Sequence, residues 1–362
     1  MTQTTTDASN SSAAAASTTA DAAGHADMPA IAIDGLTFKY PPAKKKRGRR
    51  KGPVHPDRPA LLNLSLNVQR GEIFGVLGPN GGGKTTLFRM LATVIPPPAD
   101  VRQIHIAGCD LLRQPAEVRK RIGVVFQSPS LDVKLTAREN LMHQGRLYGI
   151  TGSDLTARVE AALEHLGLAD RIDDITETFS GGMRRRTELA KSLLHEPELL
   201  LLDEPSTGLD PGARRDFWRQ LERLREERGM TIALTTHLMD EADRCDRLVI
   251  LHEGQVVAEG KPDDLKGAIG GDVVTIQPRG GTDEALAALA GAIASRLDQP
   301  GDPKPQTTEG QVRIEAENGP ALVARLGDEL THHAARIAVS KPTLEDVFLH
   351  RTGELMDKPE QS

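Results

Sequence analysis

The stretch GPNGGGKTT, Gly78 to Thr86, constrains the fold more than any other part of this chain. It satisfies the pattern G-x-x-x-x-G-K-[ST], in which a glycine-rich turn leads from a strand into a helix. The flanks agree with that setting. EIFGVLGP (Glu72–Pro79) reads as a short buried strand, and KTTLFRMLATVI (Lys84–Ile95) has helical spacing with a proline stop behind it. Such a turn aims backbone N–H groups at phosphate oxygens, and glycines keep Cβ atoms out of the way. The candidate phosphate-binding residues are therefore Gly78, Pro79, Asn80, Gly81, Gly82, Gly83, Lys84, Thr85 and Thr86. Lys84 is the residue to neutralise β- and γ-phosphates, and the Thr85 hydroxyl the one to ligate Mg²⁺. A glycine-rich turn without function is the competing reading, and the strand on one side and helix on the other count against it.

A Mg–nucleotide site also needs a carboxylate at the end of a neighbouring buried strand. The run Leu199–Leu202, followed by Asp203 and Glu204, supplies one. Asp203 would hold Mg²⁺ through water, and Glu204 would polarise the attacking water as general base. Adjacent acids after an apolar run are otherwise an ordinary solvated strand end; the glycine loop upstream shifts the balance toward a site.

Around these two motifs the chain alternates strand and helix patterns. IAIDGLTFKY and LLNLSLNV (Leu61–Val68) read as neighbouring strands and RIGVVFQ as another. Thr136 to about Leu168 has helical character, followed by a helix from Gly182 to Leu194 and the leucine strand. A helix Gly212–Arg228, strand TIALTTH, helix LMDEADRC and hairpin DRLVILHEGQVVAEG complete the unit. That order implies a largely parallel sheet with helices on both faces. After the glycine-rich break KGAIGGD (Lys266–Asp272), the segments VVTIQ, DEALAALAGAIASRL, QVRIEAE, ALVARLGDELTHH, ARIAVSK and TLEDVFLHRTG alternate strand and helix and fit a small α+β domain. The segment DQPGDPKPQTTEG within it reads as an exposed, mobile linker. There is no internal repeat.

Composition narrows the function. A net charge of −6 lacks the overall positive field of a dedicated nucleic-acid binder, so any polyanion contact must be local. The local candidate is KKKRGRRK, Lys44–Lys51, with seven basic residues in eight. It is either a solvated loop between strands or a patch for lipid or nucleic acid. Two cysteines, Cys109 and Cys245, are too few for a disulfide framework and fit a reducing compartment. No apolar run reaches the length of a membrane helix. The first residues, rich in Ala, Ser, Thr and Asp, lack the basic start and apolar middle of a secretory signal; a cytoplasmic protein with a disordered tail over 1–28 is expected.

Further motifs make the chain resemble the ATP-binding subunits of ABC transporters. Ser180, Gly181 and Gly182 in FSGGMRRR match the family signature, upstream of Asp203 as the family has it. Gln127 in VVFQSP matches the glutamine that links the nucleotide site to the helical subdomain, with a share in metal binding and catalysis. His237 in ALTTHLMDEAD matches the switch histidine that reaches the γ-phosphate. Asp210 in TGLDP matches the loop that crosses to the partner subunit, and Tyr40 stands where the family stacks an aromatic on adenine. Phe179 and Met183 replace the commoner Leu and Gln, and Gly82 the commoner Ala, without removing a phosphate donor. The form FSGGMRRR, with PTLEDVFLHRTG near the end, is similar to the daunorubicin-resistance type of exporter ATPase over roughly residues 30–353.

The resemblance implies a P-loop NTPase of ABC type, an α/β domain over 29–265 with antiparallel N-terminal strands. Within it lie a basic insert at about 41–58 and a helical subdomain at about 128–190; an α+β domain follows at 272–353 and a tail at 354–362. It further implies ATP and Mg²⁺ as cofactors and an ATP-sandwich homodimer in which Ser180 and Gly182 of one copy close on the other's γ-phosphate. The implied partner is an integral membrane permease, which the ATPase serves from the cytoplasmic face to export a drug or other hydrophobic compound. Two other classes compete. A soluble ABC-type ATPase acting on nucleic acid or ribosomes would use Lys44–Lys51, but tandem ATPase halves and a coiled-coil insertion are missing. A regulator with an incidental ATPase would not need the intact Glu204 and His237.

Overall fold

The computed structural model describes residues 28–41, 59–308 and 310–356. The basic insert, almost all of the tail over 1–28 and the last residues of the tail at 354–362 lie outside them.

In chain order the elements begin with β1 (Ile31–Phe38), β2 (Leu61–Val68), β3 (Ile73–Leu77) and α1 (Lys84–Leu91). Next come β4 (Gln103–Ile106), β5 (Cys109–Asp110), α2 (Pro115–Arg121) and β6 (Ile122–Val125). The helices α3 (Ala137–Leu147), α4 (Gly152–His165) and α5 (Gly181–Leu193) lead to β7 (Leu199–Asp203), α6 (Pro211–Arg228) and β8 (Thr231–Thr236). The chain continues through α7 (Met239–Ala242), β9 (Arg247–His252), β10 (Gln255–Gly260) and α8 (Pro262–Gly267). It closes with β11 (Asp272–Pro278), α9 (Asp283–Arg296), β12 (Gln306–Thr308), β13 (Gln311–Ala316), α10 (Gly319–His333), β14 (Ala334–Ser340) and α11 (Leu344–Thr352).

The described residues form two compact units. The first holds the described residues up to Ile73 and Thr85–Leu234. Its antiparallel sheet has the order β2-β1-β4-β5, with Ile31 opposite Val68 on one side and Ile106 on the other. Parallel pairing sets Ile122 opposite Leu199, so β6 and β7 run side by side. All of β7 is buried, as a strand covered on both faces must be. The helices are stopped and started by local chemistry. Thr136 and Glu139 form a capping box on α3, while Asp210, Pro211 and the left-handed Gly229 bracket α6.

The second unit holds Phe74–Lys84 and Thr235 onward. In it β3 pairs parallel with β9, with Phe74 opposite Arg247, and β9 turns back antiparallel into β10. A separate sheet has the order β12-β13-β11-β14, all antiparallel. Val274, Ile276, Val312 and Ile314 of that sheet pack with Leu289 and Ile293 of α9 and Leu326 of α10. Helix α11 buries Leu344, Val347 and Phe348 against Leu77, Leu248 and Ile250.

Four local readings change. The helix expected over Lys84–Ile95 ends at Leu91, because Thr93 turns left-handed and Val94 N–H donates back to Arg89. The helical stretch from Thr136 is two helices, divided where Gly149 and Gly152 take positive φ. Elements β4, β5 and α2 occupy a segment in which no element was expected. The linker expected to be mobile contains β12, which pairs with β13, and Asp302, which accepts from Arg325.

Candidate nucleotide site

In the second unit the strand β3 ends at Leu77, and the loop that follows from Gly78 is shaped by its glycines. Gly78 N–H donates to the Thr236 carbonyl at 3.3 Å, and Gly82 N–H to the Pro79 carbonyl at 3.1 Å. A Cβ on Gly78 would lie 2.2 Å from the Leu251 carbonyl oxygen, so no other residue fits there without displacing β9 or the loop. Gly81 and Gly83 take φ of +82° and +107°, which glycine adopts freely. Lys84 is buried, and its Nζ donates to the carbonyls of Gly78 (2.7 Å) and Pro79 (3.1 Å). The ammonium is thus folded back over the turn that the glycines make. In the same unit Thr236 Oγ1 donates to Glu241 at 2.6 Å and accepts from Leu238 N–H at 3.0 Å. Those bonds brace the turn after β8 that carries His237.

In the first unit, Thr85 and Thr86 stand on the first turn of α1, and the hydroxyls of Thr86 and Tyr40 share a hydrogen bond of 3.2 Å. Tyr40 is 42 % exposed and its ring meets Phe38 edge-on, which leaves area for a flat ligand to stack. Asp203 and Glu204, 4 % and 6 % exposed, stand at the end of β7 and just after it. Gln127 Nε2 donates to Glu204 Oε2 at 3.0 Å, and Thr207 Oγ1 donates to the same oxygen at 3.4 Å. Glu204 has φ +45°, an uncommon conformation for a residue with a side chain. Sequence reasoning named Gln127 and Glu204 separately, and the fold brings them together.

Ser180–Gly182 begin a different element of this unit. Ser180 caps α5, its Oγ accepting from Met183 N–H at 3.2 Å, and a Cβ on Gly182 would meet Ala213 Cβ at 2.8 Å. Asp210 caps α6, accepting from the N–H groups of Gly212 (2.9 Å) and Ala213 (3.0 Å). The Ala213 N–H first of all, then that of Gly212, hold its carboxyl below the usual carboxylate range. Thr207, Arg185 and Glu188 were not anticipated. The opposite charges at Arg185 and Glu188, one turn apart on a helix that must bury a face, were the available signal.

The sequence profile of the ABC transporter family matches residues 61–207. A daunorubicin resistance ATP-binding protein of Streptomyces coeruleorubidus is 40 % identical over 327 residues, covering 90 % of this chain and 96 % of that protein. The chain belongs to the ATP-binding subunits of ABC transporters. It is an ATPase of their drug-resistance and export branch, and it binds ATP. The Nod factor export ATP-binding protein I of Rhizobium etli is 39 % identical, with 83 % of this chain and 91 % of that one covered. Among solved structures, the cbiO1 protein of Clostridium perfringens, part of the ABC transporter complex cbiONQ, matches with TM-score 0.58 and 27 % identity. That match covers 67 % of this chain and 94 % of that one. A dimeric ATP-binding cassette in a post-hydrolysis state, bound to ADP and phosphate, matches with TM-score 0.54 and 25 % identity over 64 % of this chain and 98 % of that one. As an ABC ATPase the chain has an α/β P-loop core with antiparallel N-terminal strands.

Proposed function

We propose that this ABC ATPase works as a head-to-tail homodimer on a separate membrane permease and powers export of a drug or other hydrophobic compound. The hydrogen bond from Gln127 to Glu204 carries the reading, because it aims a buried carboxylate as a base needs to be aimed. Glu204 takes a proton from the attacking water, and the hydrogen bond from Gln127 orients its carboxylate. Lys84 gives up its loop carbonyls for the β- and γ-phosphates, Asn80 and the loop glycines offer N–H groups, and His237 reaches the γ-phosphate. Tyr40 stacks on the adenine ring.

The oxygen donors of Thr85, Gln127 and Asp203 suit a hard cation, which is held by one or two carboxylates together with phosphates. When bound, Mg²⁺ neutralises charge that develops on the β- and γ-phosphate oxygens. Ser180–Gly182 present the N-terminus of α5 and small side chains, as an anion delivered by a second copy requires, with Asp210 at the crossing between copies. The dimeric state of the solved cassette and the transporter complex of the cbiO1 protein support the two partners. The resistance and export roles of the relatives support the direction. Among the described residues no helix is long and apolar enough to cross a membrane. In this reading the permease holds the subunit at the cytoplasmic face as a peripheral protein.

Affinity capture from detergent-solubilised membranes tests this. The reading expects an integral membrane protein to be retained at a fixed ratio to the ATPase. Vigorous ATP hydrolysis by a preparation that retains none overturns it.

A further inference from the structure

One turn beyond Ser180–Gly182, α5 carries a buried ion pair that none of the roles above uses. Arg185 and Glu188 are 7 % and 5 % exposed, and Arg185 Nη1 stands 2.9 Å from Glu188 Oε2. Two buried charges carry a desolvation cost that their attraction offsets only when further hydrogen bonds complete them. Here the further bonds go to backbone beside the candidate catalytic groups. Arg185 Nε donates to the Pro205 carbonyl at 2.6 Å, Nη2 to the Asp203 carbonyl at 3.3 Å and Nη1 to the Phe126 carbonyl at 2.6 Å. Glu188 Oε1 accepts from Ser130 N–H at 2.6 Å.

Asp203 and Pro205 flank Glu204, and Phe126 and Ser130 bracket Gln127. One guanidinium and its carboxylate therefore fix the backbone on both sides of the Gln127–Glu204 hydrogen bond. Glu204 needs such restraint, because its φ of +45° is a conformation that the surroundings must impose. We infer that Arg185, completed by Glu188, is a positioning residue for ATP hydrolysis: it holds Gln127 and Glu204 in register and ties that register to the helix that starts at Ser180. The inference rests on Glu204 being the base. Lysine cannot substitute, since a single ammonium does not reach three carbonyls that only a planar fork spans.

The test uses the full chain with Arg185→Lys, with the double variant Arg185→Met/Glu188→Leu, and with Glu204→Gln alongside. The double variant removes both charges, so neither is left buried alone. Thermal midpoint, equilibrium ATP affinity, kcat and KM are measured for each. Both Arg185 variants are expected to bind ATP within about twofold of wild type while kcat falls about tenfold or more, the signature of lost orientation rather than lost binding. Wild-type kcat in Arg185→Lys overturns the inference, and so does a parallel fall in midpoint, affinity and kcat, which would make the pair structural. Should the double variant fail to fold, Arg185→Lys decides. Glu204→Gln separates the two levels: if it leaves turnover intact, the assignment of the base fails, whereas loss there with none at Arg185 sinks only the positioning role.

Discussion

Gly78 and Gly82 sit in one loop, yet a methyl group meets different surroundings at each. At Gly78 it would lie 2.2 Å from the Leu251 carbonyl oxygen; at Gly82 the nearest atoms, Leu251 O and Pro79 O, are 3.1 Å away. Gly78→Ala is therefore expected to weaken ATP affinity by about tenfold or more by distorting the N–H cradle, while Gly82→Ala stays within about threefold. Equilibrium titration with ATP decides, and equal effects at both positions would contradict the account. Lys84→Ala should lose useful nucleotide binding or turnover in the same assay, because no other side chain of the loop carries its charge. The motif made Gly78 and Lys84 legible in the sequence. The reason for Gly78 was not, since the Leu251 carbonyl arrives from a strand far along the chain. Gln127 and Glu204 were likewise legible one by one, while the bond between them, and the Arg185–Glu188 pair beneath it, exist only once the chain has folded.

Helix boundaries followed the caps. Asp210 with Pro211 and Gly229 marks both ends of α6, and that pattern is visible in the sequence. Segments without such marks were missed. Helix α2 buries only Val118 and shows no apolar periodicity; β4 has four residues and β5 two. Pairing of β4 with β1, and of β5 with β4, supplies what local sequence does not. Asp210 also gives a pH prediction. Its carboxyl is held below its ordinary value in the fold, so its stabilisation is present above the ordinary carboxylate range and is lost as pH falls through the lowered value. Asp210→Asn keeps a capping oxygen but not the charge. The gap in urea midpoint between wild type and Asp210→Asn should narrow as pH drops below the ordinary carboxylate range. A gap that does not change with pH would remove the charge from the explanation.

At the scale of the whole molecule, the alternation of strands and helices made the α/β core and the later α+β pattern readable, because periodicity reports which face is buried. What periodicity cannot report is how distant segments join. Helix α11 buries Phe348 with Leu77, Leu248 and Ile250, residues of β3 and β9, so the last described helix completes the core under the phosphate-binding loop's own strand. Phe348→Ala should cost about 3–5 kcal/mol of stability as a large core truncation. Urea unfolding measures it, and a wild-type midpoint would mean that α11 is not part of that core.

The central claim is that Glu204 is the base of an ATPase that works in pairs. Purified wild type and Glu204→Gln, each with ATP and Mg²⁺, are compared for phosphate release and for mass by light scattering. The account predicts that the variant still binds ATP, accumulates as a dimer and loses about a hundredfold or more of its turnover. A variant that releases phosphate at the wild-type rate contradicts it.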